Sequence, residues 1–348
     1  MKKVFIKVVS FITIFIIILS ALNNIFVYKS GHRRKIYQGL YTGKENYDVL
    51  LLGSSHMNGG INPNILWNEY GITSFNYATG GQPIDVTYYL LEEALKTQNP
   101  KAVVLDTYYL GLTEEYGEEG YIRYVLDSMK FSINKIEAVL NSTPKEEWLY
   151  YLVPFFKYHS RWKELSEEDY VSNYEAGYFA KGFGASQDEY GKDNMTVLTG
   201  TEEYMDLPEK TERYLYKFIE LAKEKNFKLI LVNMPYDYTS TNGMNNWITN
   251  HEMIFNSVER IASENNIPFI NYNDYLYEID FDFSKDMFNI GHLNVYGSAK
   301  VTKSLGEYLN NNYDIQDKRS DEAYNSWNLD YDEFIEAERN KYLESISN

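Results

Sequence analysis

Asp48-Val-Leu-Leu-Leu-Gly-Ser-Ser-His56 is the stretch from which the rest of the chain can be read. A short apolar run that ends in glycine and shows no alternation fits a parallel strand buried on both faces. Ser54 and Ser55 follow it directly, at the strand's carboxyl end and near the start of the next helix. Backbone N–H groups there can hold an oxyanion, which makes a serine at this point a candidate nucleophile. The same two serines could equally cap the helix. The stretch is not a G-x-S-x-G elbow, because Met57 occupies the last glycine position.

Strand and helix signals alternate outward from this point. Residues 72–77, Ala102-Val-Val-Leu-Asp106, Lys228-Leu-Ile-Leu-Val-Asn233 and Pro268-Phe-Ile-Asn271 read as further strands. Residues 84–97, 209–226, 250–265 and 295–310 carry apolar side chains at helical spacing, for example Ile84, Tyr88, Leu91 and Leu95. The alternation predicts an α/β fold with a parallel sheet covered on both faces. Ligands in such sheets bind beyond the carboxyl ends of the strands, so the loops after Gly53, Tyr77, Asp106, Asn233 and Asn271 matter most. Residues 110–205 break the alternation and read as a helical insertion over the active edge of a domain spanning 47–314. Residues 29–46 read as a linker, and 315–348 as a charged, amphipathic terminal helix.

Val8 to Tyr28 is a run without charge, long enough to cross a bilayer as a helix. A cleaved signal peptide is the rival reading, but no small-x-small site follows the run, which favours a retained anchor over residues 1–28. Basic residues flank the run on both sides, so the positive-inside rule does not orient it. Net charge is −17. Residues 1–35 hold seven basic and no acidic side chains, which leaves 26 basic against 50 acidic, or −24, for the remainder. A domain so acidic repels a phosphate backbone, which argues against nucleic acid as a partner. The absence of cysteine excludes disulfides, thiolate metal sites and a cysteine nucleophile. No metal-ligand spacing and no phosphate-cradling glycine loop occurs, so neither a metal nor a cofactor is expected.

A serine nucleophile needs a base, and the chain has five histidines. His292, in Lys285-Asp-Met-Phe-Asn-Ile-Gly-His292, lies in a polar loop after the last strand and just before a helix. Its imidazole suits the role near neutral pH, although such a histidine could also be a plain surface residue. His56 adjoins the serines but is awkwardly placed as a base. In the insertion, His159, Arg161 and Trp162 could bind a sugar or carboxylate, or could simply pack locally.

Taken together, Gly53-Ser54-Ser55, Gly81 five residues after Asn76, and Asn289-Ile-Gly-His292 resemble the blocks of the SGNH (GDSL-like) hydrolase superfamily. The resemblance covers residues 47–111 and 207–311. It implies a three-layer sandwich with strand order 2-1-3-4-5, Ser55 as nucleophile and His292 as base. It also implies an oxyanion hole from the N–H groups of Ser55 and Gly81. Three positions depart from the pattern. Ser54 replaces an aspartate, and Asp106-Thr107-Tyr108 stands where an oxyanion asparagine is usual. Asn289 replaces the aspartate that orients the histidine; Asp286, in the same loop, could take that part instead.

With an N-terminal anchor, the pattern resembles membrane-tethered proteins of cell-envelope acylation. These include the D-alanine-transfer protein of teichoic-acid modification and exopolysaccharide O-acetylation proteins. The resemblance implies an extracytoplasmic domain, a membrane-bound O-acyltransferase partner and a polysaccharide or cell-wall polymer as substrate. An esterase that deacylates envelope glycans and a non-catalytic partner module of the same fold are the alternatives.

Overall fold

The computed structural model describes residues 1–29, 31–43, 45–171, 177–193, 195–196 and 198–347, without the side chains of 342 and 344–347. Positions 30 and 44 of the expected linker, 172–176, 194 and 197 of the insertion, and 348 of the terminal helix lie outside the described residues.

Five short strands form one parallel sheet in the order β2-β1-β3-β4-β5: β1 (Val49–Leu52), β2 (Ser74–Asn76), β3 (Ala102–Asp106), β4 (Lys228–Asn233) and β5 (Phe269–Asn271). The registers Val49↔Ala102 and Ala102↔Lys228 align the three central strands at their amino ends. All four residues of β1 and all five of β3 are buried, as a strand covered on both faces requires.

The first helices are α1 (Lys2–Phe26), α2 (Gly31–Tyr41), α3 (Ser55–Gly60), α4 (Pro63–Tyr70) and α5 (Ile84–Ala94). The insertion holds α6 (Glu119–Leu126), α7 (Ile133–Ser142), α8 (Trp148–Leu152), α9 (Phe155–Tyr158) and α10 (Glu167–Tyr170). Then come α11 (Glu209–Lys225), α12 (His251–Glu264), α13 (Phe283–Asp286), α14 (Val295–Asn312) and α15 (Asn325–Ser347). A small antiparallel pair, β6 (Met287–Asn289) and β7 (His292–Leu293), precedes α14. Two helix groups form: α4 packs with α14 and α15, and α5 packs with α11 and α7. Their apolar stripes bury both faces of the sheet.

Two sequence expectations change. The supposed linker is mostly α2, whose Ile36 and Leu40 belong to the main core. Its charged exterior hid the apolar spacing. The terminal segment forms α15 from Asn325 and packs into the fold. Trp327 is fully buried against Tyr47 and Trp67, and the fully buried Lys181 pairs with Asp330 beneath it. The apolar helix runs from Lys2 to Phe26, so it starts before Val8 and ends before Tyr28.

α1 is long and apolar enough to cross a membrane. Its foot is clasped by the insertion. Phe155 N–H donates to Asn23 Oδ1 at 2.8 Å, and Phe26 meets Phe155 edge to face. After α10 the insertion returns along β2, where Asn76 N–H donates to Lys181 O, and then over α3, where Gly184 N–H donates to Asn58 O. It then passes α14, where Val295 N–H donates to Ser186 O, and ends beside α12, where Met205 N–H donates to Met253 O.

Candidate active site

The turn after β1 is built around a close approach of two strand ends. Gly53 has φ of 143°, and a Cβ there would stand 2.4 Å from Asp106 Cβ. Only glycine accepts that backbone in that space. Asp106, the last residue of β3, anchors the serine turn. Its Oδ2 accepts from Ser54 N–H at 3.2 Å and from Ser54 Oγ at 2.7 Å, and its Oδ1 accepts from Tyr108 N–H at 3.1 Å. Burial raises Asp106 to about 6, against the opposing pull of hydrogen bonds from Ser54, Tyr108 and Met57. Asp106, which stands where the resemblance would put an oxyanion asparagine, instead holds Ser54 in place.

Ser54 and Ser55 are placed differently. Ser54 is the N-cap of α3, its Oγ accepting from His56 N–H at 3.3 Å. Ser55 is the first helical residue, so its own N–H has no partner within the helix. Its Oγ lies 2.8 Å from His292 Nε2.

His292 opens β7 and sits opposite Asn289 of β6. Asn289 Oδ1 accepts from Gly291 N–H at 2.9 Å, from His292 N–H at 2.9 Å and faces His292 Nδ1 at 3.1 Å. Donors on all three sides require the amide oxygen, not its nitrogen, at that point. The imidazole then carries its proton on Nδ1 and leaves Nε2 to accept from Ser55. Burial lowers the pKa of His292, which keeps it neutral near pH 7. Two residues after His292, Asn294 caps α14 by accepting from Tyr296 and Gly297 N–H groups, and this fixes the end of the hairpin.

Asp286 stands apart from this run of side chains. Its Oδ2 accepts from Asp282 N–H at 2.6 Å and pairs with Lys300 at 2.8 Å. It is three residues from Asn289 but is committed to α14. Gly81 lies in a left-handed turn, φ 61°, beneath the ring of Tyr121, and a Cβ there would fall 2.1 Å from that ring. Its turn follows β2 at the carboxyl edge of the sheet. The insertion cluster goes elsewhere. The Arg161 guanidinium is spent on Asp169 at 2.9 Å, on Phe26 O and on the face of Tyr28 at 3.7 Å. His159 Nδ1 meets Phe156 O, and Trp162 is exposed. Arg161 belongs to the seat of α1, and none of these contacts reaches the Ser55–His292 pair, so a substrate role at that pair finds no support in them.

The sequence reading missed the aromatic wall beside the pair. His56 is buried and stacks on Tyr108 with ring centroids 3.7 Å apart; it meets Tyr236 edge to face and lies 5.0 Å from His292. Trp247 packs on Tyr108 at 4.8 Å, and Tyr236 donates to or accepts from His251 Nδ1 at 2.6 Å. Burial, with His292 and His251 adding to it, holds the His56 pKa well below the usual value. Only one signal pointed to this wall: tyrosines lie just past two strand ends, at 108 and 236, in loops where ligands bind.

No family model and no curated protein sequence matches the chain. Among solved structures it is similar to an acetyl xylan esterase at 14% identity over 75% of this chain and 98% of that one, TM-score 0.36. It is also similar to a gut microbial diltiazem-metabolizing enzyme at 14% identity over 76% of this chain and 48% of that one, TM-score 0.27. Likenesses this distant carry no weight for what the present chain acts on.

Proposed function

We propose that the chain is a membrane-anchored, serine-dependent acyl-ester enzyme of the SGNH type. In this reading it passes an acyl group to a hydroxyl of an extracellular or cell-wall polysaccharide, in partnership with a membrane-bound O-acyltransferase. The observation that carries it is the run Ser55 Oγ–His292 Nε2, 2.8 Å, and His292 Nδ1–Asn289 Oδ1, 3.1 Å, beside the carboxyl end of β1. This order of side chains is the one a nucleophile, its base and an orienting group require.

His292 Nε2 takes the Ser55 proton as Oγ bonds to the acyl carbonyl carbon. The carbonyl oxygen becomes an oxyanion, for which the Ser55 N–H at the start of α3 and the Gly81 N–H are the proposed donors. The intermediate collapses, the C–O bond to the leaving alcohol breaks, and His292 returns the proton to that alcohol. The acyl-serine is then opened by an acceptor hydroxyl, His292 acting as base a second time. Water in place of the acceptor gives hydrolysis. The anchor reading is supported by the length and apolarity of α1. An extracytoplasmic domain and the acyltransferase partner rest on the family resemblance.

The test uses the full chain in detergent with p-nitrophenyl acetate and an aminoacyl ester. Ser55→Ala and His292→Ala should each reduce acyl release to the uncatalysed rate. Glycan acylation in cells that co-express a candidate membrane O-acyltransferase should also require Ser55. If Ser55→Ala matches wild type in both assays, the enzyme reading fails. The amide at 289 would then favour a non-catalytic partner module, because it orients the histidine without stabilising its charged form.

A further inference from the structure

Cationic side chains gather at the foot of α1 in a chain whose net charge is −17. Lys29, Arg33, Lys130 and Lys135 line one cleft of about 880 Å³ between α1 and the insertion. Its acid is Asp127, which also holds Arg123 at 3.2 Å and Tyr158 at 2.5 Å. Lys135 is only 4% exposed, and its ammonium donates to Met129 O at 3.2 Å. Burial pulls it down to about 8, although Asp127 and Glu93 act to raise it. Arg33 reaches Tyr158 Oη at 3.1 Å and Asp127 at 3.6 Å, while its Nε is buried with no hydrogen-bond partner. This buried and under-used donor capacity at one end of the cleft suits an anion.

The other end is apolar. Ile16, Ile17, Phe131, Leu152, Val153 and Pro154 line it. Ile16 lies ten residues before Phe26, or roughly 15 Å up the helix. The cleft therefore extends from the cationic collar along the surface that α1 would turn to lipid. Beside it Phe131 is 71% and Ile133 77% exposed, large apolar side chains that no part of the described chain covers. Cationic below and apolar above, the cleft has the polarity profile of a phospholipid at an interface.

We propose that this cleft binds one anionic phospholipid, its phosphate among Arg33, Lys130 and Lys135 and its acyl chains along Ile16, Ile17 and Phe131. The site fixes the tilt of the acidic domain against a membrane that would otherwise repel it. It rests on the reading of α1 as a bilayer-embedded anchor.

The full chain, purified in mild detergent, is titrated with dioleoyl phosphatidylglycerol or dioleoyl phosphatidylcholine and examined by native mass spectrometry. One phosphatidylglycerol per chain should be retained in preference to phosphatidylcholine. Lys135→Met and Lys130→Glu should each weaken that retention at least about tenfold, the loss expected when a charge-assisted hydrogen bond is removed. Lys130 is exposed, so its variant tests the site even if Lys135→Met fails to fold. Equal retention of the two lipids, or undiminished retention by a folded variant, overturns the proposal. Complete displacement by inorganic phosphate also overturns it and assigns the collar to free phosphate. Alkaline carbonate extraction of cell membranes separates the premises. A chain washed off sinks the anchor reading and the lipid site with it, whereas a chain that stays without preferring phosphatidylglycerol sinks the lipid site alone.

Discussion

Asn289 Oδ1 lies 3.1 Å from His292 Nδ1 while also accepting from the backbone N–H groups of Gly291 and His292. One amide oxygen thus serves three donors and holds the ring that faces Ser55. A carboxylate has the same shape and more lone pairs for the same donors, so Asn289→Asp should fit without repacking. In the proposed mechanism the amide orients His292 but does not neutralise the imidazolium that would form in the transition state. In a serine protease, putting an amide at that position costs about 10⁴-fold. Asn289→Asp is therefore expected to raise kcat on p-nitrophenyl acetate by at least about tenfold. An unchanged kcat in a folded variant would take Asn289 out of the catalytic run. Asp286→Ala should lower stability through its lost pairing with Lys300 and leave kcat of the folded fraction unchanged.

With His292 as the proposed base, its burial sets the expected pH profile. The base acts when neutral, and burial lowers its pKa from the usual 6.5. Activity should rise with pH through that lowered value, so the acid limb of kcat/KM is expected below pH 6.5. Asn289→Asp places a negative charge beside the ring and should move the limb upward. The profile is measured for both proteins from about pH 4.5 to 8, a range that brackets a histidine titration. A wild-type limb above 6.5, or a limb that moves down in the variant, would contradict a buried neutral base oriented by residue 289.

The legible and the hidden parts of the sequence divide along physical lines. Leu50, Val103 and Leu231 lie in continuous apolar runs that only a doubly covered strand explains, so the sheet was legible. Its order came from the resemblance of Gly53-Ser54-Ser55 and Asn289-Ile-Gly-His292 to a known pattern. Ser55 was legible as a candidate because it follows a strand's carboxyl end, and its pairing with His292 came from the same resemblance, yet no spacing rule decides between Asn289 and Asp286. That choice depends on which way a three-residue strand turns its side chains and on Lys300, 14 residues further along, claiming the carboxylate. Asp106 is unsuited to an oxyanion hole because its charge would repel the oxyanion. Its use as an acceptor for Ser54 depends on the closeness of two strand ends, which no local pattern encodes. Arg161 and Trp162 resembled a sugar site because the partner of Arg161, the foot of α1, lies 135 residues away.

The terminal helix should be indispensable. Trp327 is fully buried between Tyr47 and Trp67, and Lys181 and Tyr178 of the insertion's returning segment pack around the same point. Trp327→Ala removes one of the largest buried side chains and strands Lys181 beside a void. The cost expected for such a truncation is about 3–5 kcal/mol. Urea unfolding followed by tyrosine fluorescence measures it. A loss under about 1 kcal/mol, the level of an ordinary surface substitution, would mean that residues 325–347 are not integral to the fold.

Asp106 offers a test in which stability and pH must agree in sign. Its folded-state pKa is raised from 3.8 to about 6. Between those values the unfolded chain has released the proton while the folded chain keeps it, so stability falls as pH rises through the window. Above pH 6 the cost of burying the charge is fully present, on the order of 3 kcal/mol from the size of the shift. Asn at 106 removes that cost but turns an NH₂ toward Ser54 or Tyr108 N–H, at about 1–3 kcal/mol for the lost acceptor. Asp106→Asn should therefore be clearly destabilising near pH 4 and close to neutral near pH 7, the gap from wild type closing by about 3 kcal/mol. Denaturation midpoints of both proteins across that range measure it. A gap that stays constant would mean that Asp106 is ionised throughout and that the serine turn is held by a full charge. Activity should fall in the variant, because an NH₂ facing either Ser54 or Tyr108 N–H loosens the turn that carries Ser55.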